Sequence, residues 1–345
     1  MGPEDIVLHI GRHKSGTTSI QQALAANADG LDAQGWRYVA AGRARDAHHP
    51  VAALFLPERK RTFAAGYDLA HVRNAVEQEL GAMRDRRAIL SSEMFQSVSA
   101  PGSVASLIPP ERSHLIVYLR EQYAYVQSAY AESVKIGQVA TPFEDYLDLF
   151  TPKYERFLAG WKTDFGAART TVAIYDRAAL IRGDAVDDFC ARVGIDNAGF
   201  TRVADANDSL GGALLEFRRR LNALSGLPRP LRRRMIPSLI AIARGHRSFK
   251  GRPWAPPGAV ARFRQRFVEP NRALVASGLT GGVGFGAPPS VEPEPVALDE
   301  AAVFAEIWRL LDAREPNLWR SVADVVRAAA VDHAEIRALA DALPT

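Results

Sequence analysis

Five short apolar runs recur through the first half of the chain and limit its fold more than any other feature. They are "DIVLHI" (5–10), "WRYVA" (36–40), "RAILSS" (87–92), "HLIVYLR" (114–120) and "TTVAIY" (170–175). Continuous runs of this kind belong to strands buried on both faces, as in a parallel sheet covered by helices. Helical patterns lie between them, at 17–28, 69–85, 122–136, 142–165 and 184–194. Alternating strands and helices predict an open α/β fold. In such a fold ligands bind beyond the carboxyl ends of the strands.

After about residue 200 the strand signals stop. Amphipathic helical patterns follow at 209–224, 259–276, 300–312 and 321–343. Breaker-rich stretches separate them, and "GLTGGVGFGAPPSVEPEP" (278–295) has the composition of a flexible linker. The expected organisation is one continuous domain, with an α/β core over 1–200 and a helical extension over 201–345 that packs on the core or lids it. With 345 residues, 47% of them apolar, the chain can bury a sizeable core. The single cysteine, Cys190, excludes an intrachain disulfide and reads as a small core residue. No basic leader precedes a long apolar stretch, and no run approaches ~20 apolar residues. A cytoplasmic location is the resulting expectation.

Net charge is a mild +4, but the window 229–252 is dense in arginine and holds no acid. Such a patch calls for an anionic partner: phosphate, sulfate, an acidic glycan or a membrane surface. A nucleic-acid partner is not expected. Met235, Ile236, Leu239, Ile240 and Ile242 would give a surface helix an apolar face. A buried helix with exposed arginines explains the same pattern and is the favoured reading.

The stretch "VLHIGRHKSGTTSIQQAL" (7–24) places Gly11 and Gly16 between a strand and a helix. The spacing is that of a phosphate loop, G-x-x-x-x-G-K-[ST], except that Thr17 stands where the lysine belongs and Lys14 lies upstream. A helix N-terminus aims backbone N–H groups and dipole at one spot, and Ser15, Thr17, Thr18 and Ser19 add hydroxyls. The result is an anion cradle. Neither "AILSSE" nor "LIVYLRE" ends in the aspartate that a Mg²⁺-nucleotide site needs. A lysine inside the loop suits a different chemistry, in which it neutralises charge on an oxygen that bridges two anionic groups, without metal. Arg120 closes a later strand and can grip a phosphate bidentately, with Ser128 two turns into the next helix.

These stretches resemble a known family. "HIGRHKSGTTSIQ" resembles the 5′-phosphosulfate loop of the PAPS-dependent sulfotransferases, and "LIVYLREQYAYVQSAY" their 3′-phosphate motif, with the Arg–Ser separation of eight. "TVAIYDRAAL" is similar to the family's tyrosine-acid-x-leucine run, and "NDSLGGALLEFRRRLN" resembles a segment of bacterial members. The resemblance implies a P-loop-NTPase-like parallel sheet, with 3′-phosphoadenosine 5′-phosphosulfate (PAPS) as sulfuryl donor and no metal. Lys14 would contact the phosphosulfate and assist the leaving oxygen. Arg12, His13, Ser15, Gly16, Thr17, Thr18 and Ser19 would form the cradle, Arg120 and Ser128 would bind the 3′-phosphate, and Tyr175 would lie beside the cofactor. "RSFKGRPW" (247–254) is a partial match to a later cofactor segment of the family, through Lys250 and Gly251. The acceptor would be a hydroxyl, or an amine, of a carbohydrate, glycolipid or small metabolite.

Transfer to a hydroxyl needs a base. Glu93, after the third strand, is the first choice, followed by His48 and His49 in "DAHHPVAALF". His13 is a further option, while His9, inside a strand, reads as a core residue. Two other function classes remain open at this point: a nucleotide kinase or NTPase, and a non-catalytic nucleotide- or polyanion-binding protein. Oligomeric state is left open.

Overall fold

Each apolar run forms a strand: β1 (Ile6–His9), β2 (Trp36–Tyr38), β3 (Arg87–Ser91), β4 (Ser113–Leu119) and β5 (Thr170–Ile174). A computed structural model describes residues 5–12, 14–83, 85–203, 209–246, 249–286, 299–331 and 333–344. The strands make one sheet in the order β2-β3-β1-β4-β5, and every pair is parallel. Register explains why the runs are largely apolar on both faces. Ile6, Leu8, Leu90, Leu115 and Val117 face the helices Leu69–Ala82 and Tyr154–Phe165. Their neighbours Val7, Ile89, Ile116 and Tyr118 face the helices Thr17–Ala26 and Ala185–Val193. With period two, both sets meet a helix, so both must be apolar. Cys190 lies in the second layer, and burial pushes its thiol up to about 12, which leaves it an inert core residue.

From β1 the chain crosses to β2 at one edge of the sheet, then returns through β3 and passes to β4 on the far side of β1. The Thr17–Ala26 helix after β1 therefore lies on the opposite face from the helices Leu69–Ala82 and Tyr154–Phe165. Such a reversal opens a crevice beyond the carboxyl ends of the central strands.

The chain divides into two compact units, but not at a single cut near residue 200. The first joins Met1–Glu121, Lys153–Asp205 and Arg266–Pro288 and contains the whole sheet. The second joins Gln122–Pro152, Ala206–Gln265 and Pro289–Thr345 and is helical among the described residues. Two of the crossings between units fall at helix breaks near a proline. The pattern over 142–165 is two helices, Phe143–Leu149 and Tyr154–Phe165, because Pro152 offers no N–H and pushes Thr151 away from the helical region. The pattern over 259–276 likewise splits into Pro257–Gln265 and Val268–Ala276, which places Pro270 in a first turn, where an N–H is dispensable. The chain changes unit at each break. The segment expected to be a linker is partly docked: buried Leu279 accepts a hydrogen bond from the β5 amide of Val172 at 3.0 Å. Residues 287–295 of that stretch lie outside the described residues.

In the second unit, the helix Gln122–Lys135 is pinned at its end by the helix Gly212–Ala223. Fully buried Arg218 donates to the Lys135 carbonyl, and Asn222 Nδ2 donates to those of Val134 and Val139, at 2.8 Å each. Burial lowers the Arg218 pKa to about 10. The basic window forms the helix Arg229–Gly245, whose Met235, Leu239 and Ile242 are buried in the unit while Arg233 and Arg234 are exposed. Three of the five residues proposed for a membrane-facing surface are thus spent on the unit's own core. No helix among the described residues is long and apolar enough to cross a membrane.

Candidate functional site

β1 delivers the chain to the loop at the centre of the sheet. The Ile10 amide donates to Ile116, and beyond it the backbone turns sharply, with Lys14 at φ 65 and Gly16 at φ 77. The left-handed region costs a non-glycine residue roughly 1–2 kcal/mol, so the loop is held there by other bonds. Ser15 Oγ and Thr17 Oγ1 both donate to the Arg12 carbonyl, at 2.7 and 3.1 Å. Arg120 Nη1 donates to the Lys14 carbonyl at 3.3 Å. A Cβ on Gly16 would fall 2.6 Å from Tyr175 Cε2 and 2.8 Å from Ala185 Cβ, so this position needs glycine for contact as well as for φ. Gly16 also caps the Thr17–Ala26 helix with no side chain. A glycine at this position supplies no side-chain group to the first-turn amides.

Three aromatic residues frame the loop. The Arg12 guanidinium lies over the rings of Tyr154 and Phe157, 5.2 and 4.9 Å from their centroids. Tyr154 donates its hydroxyl to the Arg120 carbonyl at 2.5 Å, and Arg120 Cζ lies 5.8 Å from the Tyr175 centroid. The ends of β1, β4 and β5 thus bring Arg12, Lys14, Arg120 and Tyr175 together. The loop hydroxyls divide in two. Ser15 and Thr17 are buried and spent on the Arg12 carbonyl, so they hold the loop's shape instead of offering donors to an anion. Thr18 and Ser19 lie in the helix's first turn, exposed and half-buried. His13 lies outside the described residues.

A second polar group gathers where β3 ends. Glu93 begins a short 3-10 turn, Glu93–Ser97, capped by the Ser92 hydroxyl, which accepts from the Met94 amide at 3.1 Å. Buried Gln21, one turn into the Thr17–Ala26 helix, donates through Nε2 to Glu93 Oε2 at 3.0 Å and to Ser91 Oγ at 3.2 Å. On the other side His49 Nε2 lies 3.7 Å from Glu93 Oε1, and His49 Nδ1 lies 2.8 Å from Ser92 Oγ. Ser92 Oγ can donate to Nδ1, which would leave a proton on Nε2 facing Glu93 at more than hydrogen-bond length. The row Ser92–His49–Glu93 has the residue types of a hydrolase triad. Ser92, however, is fully buried and already serves as a cap, so it cannot act as a nucleophile.

His48 is not available as a base. It is fully buried, its Nε2 lies 2.7 Å from the Val39 carbonyl, and its Nδ1 accepts from the Ser91 amide at 3.1 Å. Burial holds its pKa down to about 4. His9 is buried as expected of a core residue, 2.9 Å from Ser91 Oγ through Nδ1 and lowered to about 4 by burial, but it is not fully satisfied, since its Nε2 has no hydrogen-bond partner among the described residues. The adjacent histidines thus have opposite fates, and only His49 reaches Glu93.

Ser128, Lys250 and Gly251 belong to the second unit. Ser128 is half-buried on the helix Gln122–Lys135. Lys250 and Gly251 run backbone-to-backbone beside Gly211, whose Cβ would meet the Gly251 carbonyl at 2.5 Å. The sequence left Gln21, Ser91, Ser92 and Tyr154 unremarked. The signal for Gln21 was present: a polar residue on the buried stripe of an amphipathic helix, one turn beyond Thr17. Among the described residues no group of three or more His, Cys, Asp or Glu side chains is placed to hold a metal ion.

Comparison with known proteins adds little to this geometry. No family model matches the chain. An uncharacterized protein of Archaeoglobus fulgidus is 32% identical over 114 residues, a stretch that covers 32% of this chain and 30% of that protein. The chain therefore spans under a third of the length of the curated relative it matches.

Proposed function

We propose that this protein is a sulfotransferase that moves a sulfuryl group from PAPS to a hydroxyl or amine acceptor, on a P-loop-like site built in the first unit. The observation that carries the proposal is Lys14, held in the left-handed region at the end of the central strand, with its carbonyl anchored by Arg120. Strain of this kind persists where the surroundings over-determine it, and it concentrates at functional sites. The residues suit a phosphosulfate nucleotide. The N-terminus of the Thr17–Ala26 helix would face an anion, the Lys14 ammonium and Arg120 guanidinium would supply positive charge, and Gly16 lets the backbone approach closely.

Bound PAPS would supply a sulfuryl group attached to a phosphate oxygen that leaves with the bonding electron pair. Lys14 would neutralise charge growing on that oxygen. Glu93 would take the acceptor's proton as the acceptor atom bonds to sulfur. Glu93 and the loop share the Thr17–Ala26 helix through Gln21, four residues from Thr17, or ~6 Å along the helix axis. The acceptor class, a carbohydrate, glycolipid or small metabolite, rests on the family resemblance alone.

The test is a stability titration with 3′-phosphoadenosine 5′-phosphate and, separately, with ATP and Mg²⁺. A ligand that binds only the folded chain adds about 2.7 kcal/mol at 100 times its Kd. The expected outcome is stabilisation by the 3′-phosphorylated nucleotide, lost in Arg120→Ala. Stabilisation by ATP–Mg²⁺ alone would sink the proposal in favour of a kinase or NTPase.

A further inference from the structure

We infer that Gln21 is the positioning residue of the base, fixing the Glu93 carboxylate in line with the loop; this rests on the sulfotransferase reading above. Glu93 projects from a short 3-10 turn, where a carboxylate would ordinarily sample several rotamers. Here both its oxygens face a partner. Oε2 accepts from Gln21 at 3.0 Å, and Oε1 faces His49 Nε2 at 3.7 Å.

The Gln21 amide is well suited to this. It is buried, with 4% of its surface exposed, and a buried amide is costly unless its hydrogens are used. The –NH₂ group has two hydrogens, and Nε2 has two acceptors, Ser91 Oγ and Glu93 Oε2. Ser91 is itself fully buried and 2.9 Å from His9 Nδ1, so the first contact fixes the amide plane and the second transmits that orientation to Glu93. The helix that carries Gln21 also begins at the loop. One rigid element therefore sets the spacing between the cradle and the base. Such alignment matters because a misplacement of ~1 Å can cost about a hundredfold in rate.

An amide that merely ties the helix to β3 would leave the rate untouched apart from stability. The two roles separate in a double-mutant cycle with Gln21→Met, which keeps length and removes both donors, and Glu93→Gln. Positioning predicts that Gln21→Met lowers kcat ten- to a hundredfold, with the Michaelis constant for PAPS and the melting temperature near wild type. It also predicts that the loss disappears when Glu93 is already Gln, because residues acting through one another are not additive. Full kcat in Gln21→Met, or losses that multiply in the double variant, would overturn it. A second measurement is independent of turnover: the side-chain amide resonances of Gln21, followed by ¹⁵N NMR in wild type and Glu93→Gln. A shift on losing the carboxylate supports the hold, and unchanged resonances overturn it. Absence of sulfuryl transfer by the wild type, with that shift present, would sink the sulfotransferase reading and leave the Gln21–Glu93 contact standing.

Discussion

His48 and His49 show how one residue step decides what a side chain can do. The His48 ring enters the core and finds two backbone partners, while His49 meets Glu93 and Ser92 beside a half-exposed edge. Burial also makes His48 and His9 sensors of acid. Both are lowered to about 4 from an ordinary 6.5 by desolvation. Between those values the unfolded chain binds protons that the folded chain refuses. Their contribution to stability is therefore complete above pH 6.5 and is lost as pH falls toward 4, with a slope of up to ~1.4 kcal/mol per pH unit for each histidine. Urea unfolding between pH 7 and 5.5, where most carboxylates remain ionised, should show this decline, and His48→Gln should roughly halve its slope. A flat profile in the wild type would show that neither ring is desolvated in solution. From sequence the two histidines looked equivalent, since adjacency says nothing about which ring points inward.

At the scale of elements, the loop and the Thr17–Ala26 helix behave as one part. Gly16 ends the loop, caps the helix and touches Tyr175 and Ala185. Gly16→Ala introduces strain from φ 77 and contacts at 2.6 and 2.8 Å, so it should cost about 1–3 kcal/mol. It should also weaken binding of 3′-phosphoadenosine 5′-phosphate by at least tenfold, as read by calorimetry. Retention of wild-type affinity at reduced stability would mean that the glycine serves packing alone. The strands were legible because a sheet covered on both faces imposes an unbroken apolar run on each. Several helix ends were not. Pro152 and Pro270 each divided a pattern that amphipathic spacing carried straight through, because the stripe of apolar residues continues on both sides of the break.

At the scale of the whole molecule, the division into units leaves each with its own tryptophans: Trp36 and Trp161 in the first, Trp254, Trp308 and Trp319 in the second. Chains with separate cores depart readily from two-state unfolding. Variants retaining only the first unit's tryptophans or only the second's should report different unfolding midpoints, and 3′-phosphoadenosine 5′-phosphate should raise the midpoint seen by Trp36 and Trp161. Coincident midpoints with equal shifts would show a single cooperative unit. The chain's local chemistry was enough to give the parallel α/β layers, the turn after β1 and the placement of Lys14 in it, because apolar periodicity and glycine spacing act over a few residues. It could not give the assignment of 122–152 to the helical unit or the gathering of Gln21, His49 and Glu93. Those depend on contacts between distant residues, Gln21 with Glu93 72 positions apart and Asn222 with Val134 88 apart, which exist only once the chain has folded back on itself.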